Sequence, residues 1–135
     1  ERTKNMSVDW DNSRYFKASE FICSHTGTEN MDQNFIDKLN QLRDSYGKPM
    51  TITSGFRDET HPVEAMKKDP KGGAHVSGKA CDILVDRKDA FELLSLAFLI
   101  GFTGIGVNQK GGSRFLHLDT IENSPSRPRP TIWSY

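Results

Sequence analysis

Three glycines surround a single histidine in Gly72-Gly73-Ala74-His75-Val76-Ser77-Gly78, and the chain then runs through Lys79-Ala80-Cys81 into Asp82-Ile83-Leu84-Val85, an apolar strand that opens on a carboxylate. A second strand pattern follows in Phe115-Leu116-His117-Leu118-Asp119. Side chains alternate faces along a strand, so Phe115, His117 and Asp119 share one side while Leu116 and Leu118 point the other way into a core. Asp119 then lies about 7 Å along the same face from His117, close enough to steer its imidazole or to act on a metal-bound water. The glycines allow unusual backbone angles around His75, so that a loop can carry its imidazole over the start of the strand that bears Asp82. His75, Asp82 and His117 are thus two imidazoles and a carboxylate at strand edges. That is the ligand set of a catalytic zinc site with one position left open, and it points to a metallohydrolase.

The remaining elements read as a scaffold around these two segments. Asn30 as N-cap, Gln33 three residues on, and a stripe of Phe35, Ile36, Leu39 and Leu42 predict a helix that ends at Gly47 before Pro49. Met50-Thr51-Ile52-Thr53 alternates and enters Ser54-Gly55, the pattern of a half-buried strand that ends in a turn, with Arg57 just beyond it. Residues 58–73 carry two prolines, two glycines and many charges without a period, and predict a long loop in front of His75. The span 86–100 predicts a helix capped by Asp86 and closed by Gly101; its apolar residues run almost all round, so it is expected to be largely buried. Gly104-Ile105-Gly106-Val107 and the strand through His117, joined by Lys110-Gly111-Gly112, predict a hairpin. Residues 1–14 are polar with isolated apolar positions and read as an N-terminal arm.

With 135 residues, 35% of them hydrophobic, the chain supports one domain, taken as 1–135, and not two comfortable ones. Eighteen basic residues balance eighteen acidic ones, so no global field draws it to nucleic acid or to an anionic membrane. No apolar stretch is long enough for membrane insertion, and none reads as a leader; the chain starts at Glu1, which leaves room for a removed upstream segment. Cys23 and Cys81 do not define a disulfide framework, and Cys81 sits in an apolar run that favours a buried free thiol. Taken singly, His25 and His61 read as structural or surface residues, Trp133 and Tyr135 as packing groups, and Arg57 as a solvated charge.

His75-x-x-Gly78-x-Ala80-x-Asp82, preceded by Ser54-Gly55-Phe56-Arg57 and followed by His117, resembles the D-alanyl-D-alanine carboxypeptidase family of zinc peptidases, which includes dipeptidases, phage endolysins and L-alanyl-D-glutamate endopeptidases. The resemblance extends to Phe16-Lys17-Ala18-Ser19-Glu20-Phe21, Leu42-Arg43-Asp44, Gly47-Lys48-Pro49 and Trp133-Ser134-Tyr135. It implies a small α+β domain with a mainly antiparallel sheet and flanking helices. It also implies Zn2+ on His75, Asp82 and His117, and a peptide bond of bacterial peptidoglycan as substrate, cleaved as a carboxypeptidase or an endopeptidase. Action at the bacterial cell wall, by a bacterial or a phage protein, goes with it. Arg57 matches the arginine that binds a substrate carboxylate or a polarised carbonyl, a role suited to a planar fork of donors.

Two positions depart from the family pattern. Gly73 replaces a common serine two residues before the first histidine. Arg114 stands three residues before the last histidine, where many members carry the Glu or Asp that deprotonates water, and arginine cannot serve as that base. Either Asp119 has taken the role, which is the reading adopted for the sequence, or Asp119 only orients His117. The hedgehog signalling domain resembles this fold and metal site, so a noncatalytic zinc module that binds the wall or a partner is the alternative.

Overall fold

The computed structural model describes residues 8–65 and 73–135. Residues 1–7 of the expected arm and residues 66–72 of the expected loop, Gly72 included, lie outside the described residues. The fold is α+β: a five-stranded sheet, β1 (Thr51–Ser54), β2 (Ala80–Leu84), β3 (Gly104–Asn108), β4 (Phe115–Asp119) and β5 (Thr131–Ser134), with helices α1 (Gln33–Tyr46) and α3 (Arg87–Ile100) packed against each other. A one-turn helix α2 (Pro62–Ala65) lies within the segment read as a loop. Strand order is β1-β2-β4-β3-β5, and every pairing is antiparallel except β3 with β5. β3 and β4 pair as the hairpin expected from their alternation.

One face of the sheet carries Cys81, Ile83, Ile105, Leu116 and Leu118, all buried, and α1 adds Phe35, Ile36, Leu39 and Leu42, each fully buried. The apolar stripe of α1 is therefore the one its spacing predicted. Its N-cap is Asp32 and not Asn30: Asp32 Oδ2 accepts from the Phe35 backbone N–H at 3.0 Å, because the helix begins two residues later than the Asn30–Gln33 spacing suggested. Gly47 closes the helix in the left-handed conformation. Within the span read as an arm, Val8 is buried in the core and the Trp10 indole stacks on Phe21 at 5.5 Å, so from residue 8 onward isolated apolar side chains pack against the core. Cys23 and Cys81 are both free and buried, and burial pushes the Cys81 thiol well up. None of the helices among the described residues is long and apolar enough to cross a membrane.

The expected burial of α3 does not hold. Ala90, Leu93 and Ala97 face the core, whereas Phe91, Phe98 and Leu99 are 77, 72 and 78% exposed. Asp86 holds the N-cap position, but its carboxylate pairs with Arg87 at 3.1 Å and makes no capping bond. Helix α3 packs on α1 and β4 and leaves its opposite face uncovered. The stability cost of substitution follows that geometry. Leu93→Ala is expected to cost about 3 kcal/mol, while Phe91→Ser costs less than about 0.5 kcal/mol, measured as the difference in urea unfolding free energy. Equal losses at the two positions would contradict the one-sided packing of α3.

Candidate metal centre

Side chains opposite one another across the sheet build the site. In the β2–β4 ladder Asp82 stands against His117; β1 places Ser54 beside Asp82, β3 places Gly106 beside His117, and β5 places Trp133 beside Gly106. One row of the sheet thus reads Ser54, Asp82, His117, Gly106, Trp133, on the face opposite the Leu116 and Leu118 core. In the next row Ala80, Asp119 and Gly104 are neighbours. The two glycines of β3 leave space that their neighbours use. A Cβ on Gly106 would lie 2.6 Å from Trp133 Nε1, and one on Gly104 would fall inside contact distance of the Asp119 carboxylate. The Trp133 indole occupies the cleared space beside the imidazole of His117, their ring centroids 5.0 Å apart.

His75 arrives from outside the sheet, on a short 3-10 helix, Ala74–Ser77. Gly78 ends that turn at φ +76°, and its carbonyl accepts from Asp32 N at 2.9 Å, which ties the turn to the start of α1. Gly73 is in ordinary extended backbone. The His75 carbonyl accepts from Arg57 N at 3.2 Å, and His75 Nδ1 donates to the Gly55 carbonyl at 2.8 Å. The Ser54-Gly55-Phe56-Arg57 turn therefore holds the backbone and the ring of His75 together.

The structure brings His75, Asp82 and His117 into one cluster, with one ligand atom of each within 4.8 Å of the others. His75 Nε2 and His117 Nδ1 lie 3.3 and 3.2 Å from the same oxygen, Asp82 Oδ1. Hydrogen bonds on the outer side fix what these inner atoms are. A carbonyl can only accept, so His75 Nδ1 carries the proton it gives to Gly55, and Nε2 presents a lone pair. His117 Nε2 lies 2.8 Å from Asp119 Oδ2, and that carboxylate also accepts from Arg129 Nε at 3.0 Å and Nη2 at 2.8 Å. Asp119 accepts both bonds from Arg129, so His117 Nε2 is the donor to it, and in the neutral ring Nδ1 presents the second lone pair. With Asp82, three acceptor atoms converge on one point, an arrangement that calls for a cation. The donor set of two imidazoles and one carboxylate fits zinc.

The electrostatics follow from these contacts. Burial works against the charge on Asp82, but when the facing nitrogens of His117 and His75 carry protons instead of meeting a metal they donate to it, and these bonds outweigh burial and hold the carboxyl well below its ordinary range. Burial likewise opposes a charged His117, yet its bonds to Asp119 and Asp82 raise its pKa. Asp119 is 0% exposed; burial would raise its pKa, but the bonds from His117 and Arg129 bring it down to about 2. Its Oδ1 also accepts from Ile121 N at 3.2 Å.

A cavity of about 430 Å³ opens over the cluster, lined by Arg57, Val63, Ala74, His75, Asp82, Phe115, His117, Trp133 and Tyr135. Phe115 and Tyr135 meet at 5.1 Å on its wall. Trp133 and Tyr135, read from sequence as packing groups, thus line the cavity over the cluster. Arg114 is elsewhere: it lines a separate depression with Tyr46, Pro49 and Asp86, and its Nε donates to the Gly111 carbonyl at 3.0 Å. His25 and His61 face each other edge-on at 6.1 Å, apart from the cluster. Sequence reasoning missed Arg129, which lies in the proline-rich tail, and its one indirect signal was the alternation of glycines in Gly104-Ile105-Gly106.

The fold and the site define a class, that of small α+β proteins with a His–Asp–His metal cluster open on one side. A family model, that of the M15 peptidases, matches residues 14–119, and the chain belongs to this family of zinc-dependent peptidases. No curated protein and no solved structure matches the chain. Arg129, Trp133 and Tyr135 lie beyond the matched span, so their part in the site rests on the structure.

Proposed function

We propose that this protein is a zinc peptidase that hydrolyses a peptide bond of bacterial peptidoglycan stems and acts at the bacterial cell wall. The observation that carries the reading is the convergence of three lone pairs, from His75 Nε2, Asp82 Oδ1 and His117 Nδ1, at the floor of an open cavity. Zinc held by such a set supplies Lewis acidity, which polarises a carbonyl and acidifies water toward a pKa of about 7. The chain's own residues supply position. Arg57 borders the same cavity, where its guanidinium is suited to a free carboxylate of the peptide stem or to the scissile carbonyl. Phe115, Trp133 and Tyr135 form a wall that excludes water on one side and offers a flat surface to the substrate.

Asp119 takes the second of the roles open to it. A general base needs a free lone pair within reach of the proton it removes. Both Asp119 oxygens are engaged, by His117, Arg129 and Ile121 N, and the side chain does not reach solvent. It therefore orients His117 and takes up no proton in the reaction.

The noncatalytic module remains the second reading, and a specific observation favours it: among the described residues lining the cavity, the sole carboxylate is the ligand Asp82. Mass spectrometry of purified peptidoglycan incubated with the zinc-loaded protein decides between the two. The peptidase reading expects new fragments that are absent with His75→Ala, and their masses identify the bond and separate carboxypeptidase from endopeptidase cleavage. Stoichiometric zinc with no fragments from several wall chemistries would leave the noncatalytic module.

A further inference from the structure

The structure assigns Arg129 as a positioning residue of the metal centre, acting through Asp119 to fix which nitrogen of His117 faces the metal. This rests on the reading of His75, Asp82 and His117 as ligands, and it is independent of whether the protein cleaves peptides.

Arg129 comes from the tail, ten positions after Asp119, and its side chain reaches back to the Asp119 carboxylate. Its guanidinium meets the carboxylate as a two-point fork, Nε to Oδ1 at 3.0 Å and Nη2 to Oδ2 at 2.8 Å, with side chains only 7 and 0% exposed. The fork is held from every side. Nη1 donates to the Pro128 carbonyl at 2.8 Å, the Arg129 backbone N–H donates to Asn123 Oδ1 at 2.8 Å, and the guanidinium carbon lies 5.3 Å from the centre of the Trp133 ring. Trp133 in turn packs against His117. Arg129 therefore bears on the ligand by two routes, through the Asp119 carboxylate and through the indole.

The consequence is chemical. Both Asp119 oxygens accept N–H bonds from the guanidinium fork, so the oxygen that faces His117 is an acceptor. His117 Nε2 must then carry a hydrogen, and its Nδ1 lone pair is left pointing at Asp82 and the metal position. Without the fork the carboxylate could turn about its Cβ–Cγ bond, which would leave the imidazole free to rotate or to present its other nitrogen. Burying two charges carries a desolvation cost that an apolar pair filling the same space would not incur. Control of the ligand explains why the charges are there. Lysine would keep the charge and lose the fork, since an ammonium is a point donor without a fixed plane.

The test is metal affinity, measured on the full chain by competition with a chromophoric chelator for zinc, together with the visible absorption of the cobalt(II) form and the thermal midpoint without metal. Arg129→Met is expected to lose about 10- to 100-fold in zinc affinity. The cobalt spectrum should change with it, because the His117 donor is no longer held in place, and Arg129→Lys should fall between Met and wild type in both readings. A purely structural arginine would lower the metal-free midpoint and leave the cobalt spectrum as it was. Arg129→Lys keeps the charge and remains readable even where Arg129→Met does not fold. Either variant, folded and with wild-type affinity and spectrum, overturns the assignment. A wild-type protein that binds neither zinc nor cobalt would instead overturn the ligand reading on which the assignment rests.

Discussion

Gly104→Ala is expected to destabilise the protein by about 3 kcal/mol or more, an unusually large cost for adding one methyl group on a strand. The added Cβ would fall inside contact distance of Oδ1, Oδ2 and Cγ of Asp119. An exposed carboxylate would swing aside. This one is 0% exposed and accepts from His117, from two nitrogens of Arg129 and from Ile121 N, so any displacement breaks several charge-assisted bonds at once. Overpacking alone costs roughly 1–3 kcal/mol, and disturbing a buried ion pair adds to it. Gly106→Ala provides the comparison: its Cβ would approach Trp133 Nε1, Cε2 and Cζ2 at 2.6 to 3.0 Å, but Trp133 sits on the edge strand β5 and can move outward. A loss of about 1–2 kcal/mol is expected there. Urea unfolding of both variants without metal measures the difference, and a Gly104→Ala protein as stable as wild type would show that Asp119 is not fixed as described.

The same two glycines mark how far the sequence can be read. Periodicity reports which side of an element is apolar, and it placed α1 and the alternating strand β4 because each buries one regular stripe. Together with the ordered motif it also picked out His75, Asp82 and His117, which the fold gathers from a turn and two paired strands. Periodicity does not report how many layers surround an element. Helix α3, apolar almost all round, reads as buried, yet in a sheet with one helical layer it has a partner on one side only, and Phe91, Phe98 and Leu99 face outward. Nor does spacing reveal long-range pairs of opposite charge. Asp119 has the parity of a residue facing the metal, which is why it reads as a base. Only the return of Arg129 from the proline-rich tail shows that both oxygens are occupied. Arg114 misleads in a similar way, because three residues before His117 lies a surface site outside β4 and not a position over the cavity.

Asp82→Asn should separate the need for a cation from the need for a fold, and it is expected to lower zinc affinity on the order of 1000-fold, equivalent to about 4 kcal/mol. The amide oxygen is a neutral and weaker ligand, and turnover of any substrate falls with metal occupancy. Without metal the effect depends on pH, and its sign follows from His117. The folded-state pKa of His117 is raised above the free imidazole value of about 6.5, so its charged contact with Asp82 stabilises the protein below that value and is lost as pH rises through the folded pKa. Asp82, whose pKa is depressed, contributes stability above the ordinary carboxylate range of about 4 that is lost only in strong acid. At pH 6 the metal-free variant should therefore be less stable than wild type, since the imidazolium has lost a charged partner. Once the pH has risen through the folded pKa of His117, the wild type has acceptors facing one another, whereas the asparagine N–H₂ can donate to His75 Nε2 or His117 Nδ1 and relieve them. The variant should then equal or exceed wild type in thermal midpoint, while zinc raises the midpoint of the wild type alone. Protons and metal compete for the same lone pairs, so wild-type zinc affinity should also fall as pH drops below the His117 pKa. An Asp82→Asn protein that binds zinc as tightly as wild type would remove Asp82 from the ligand set.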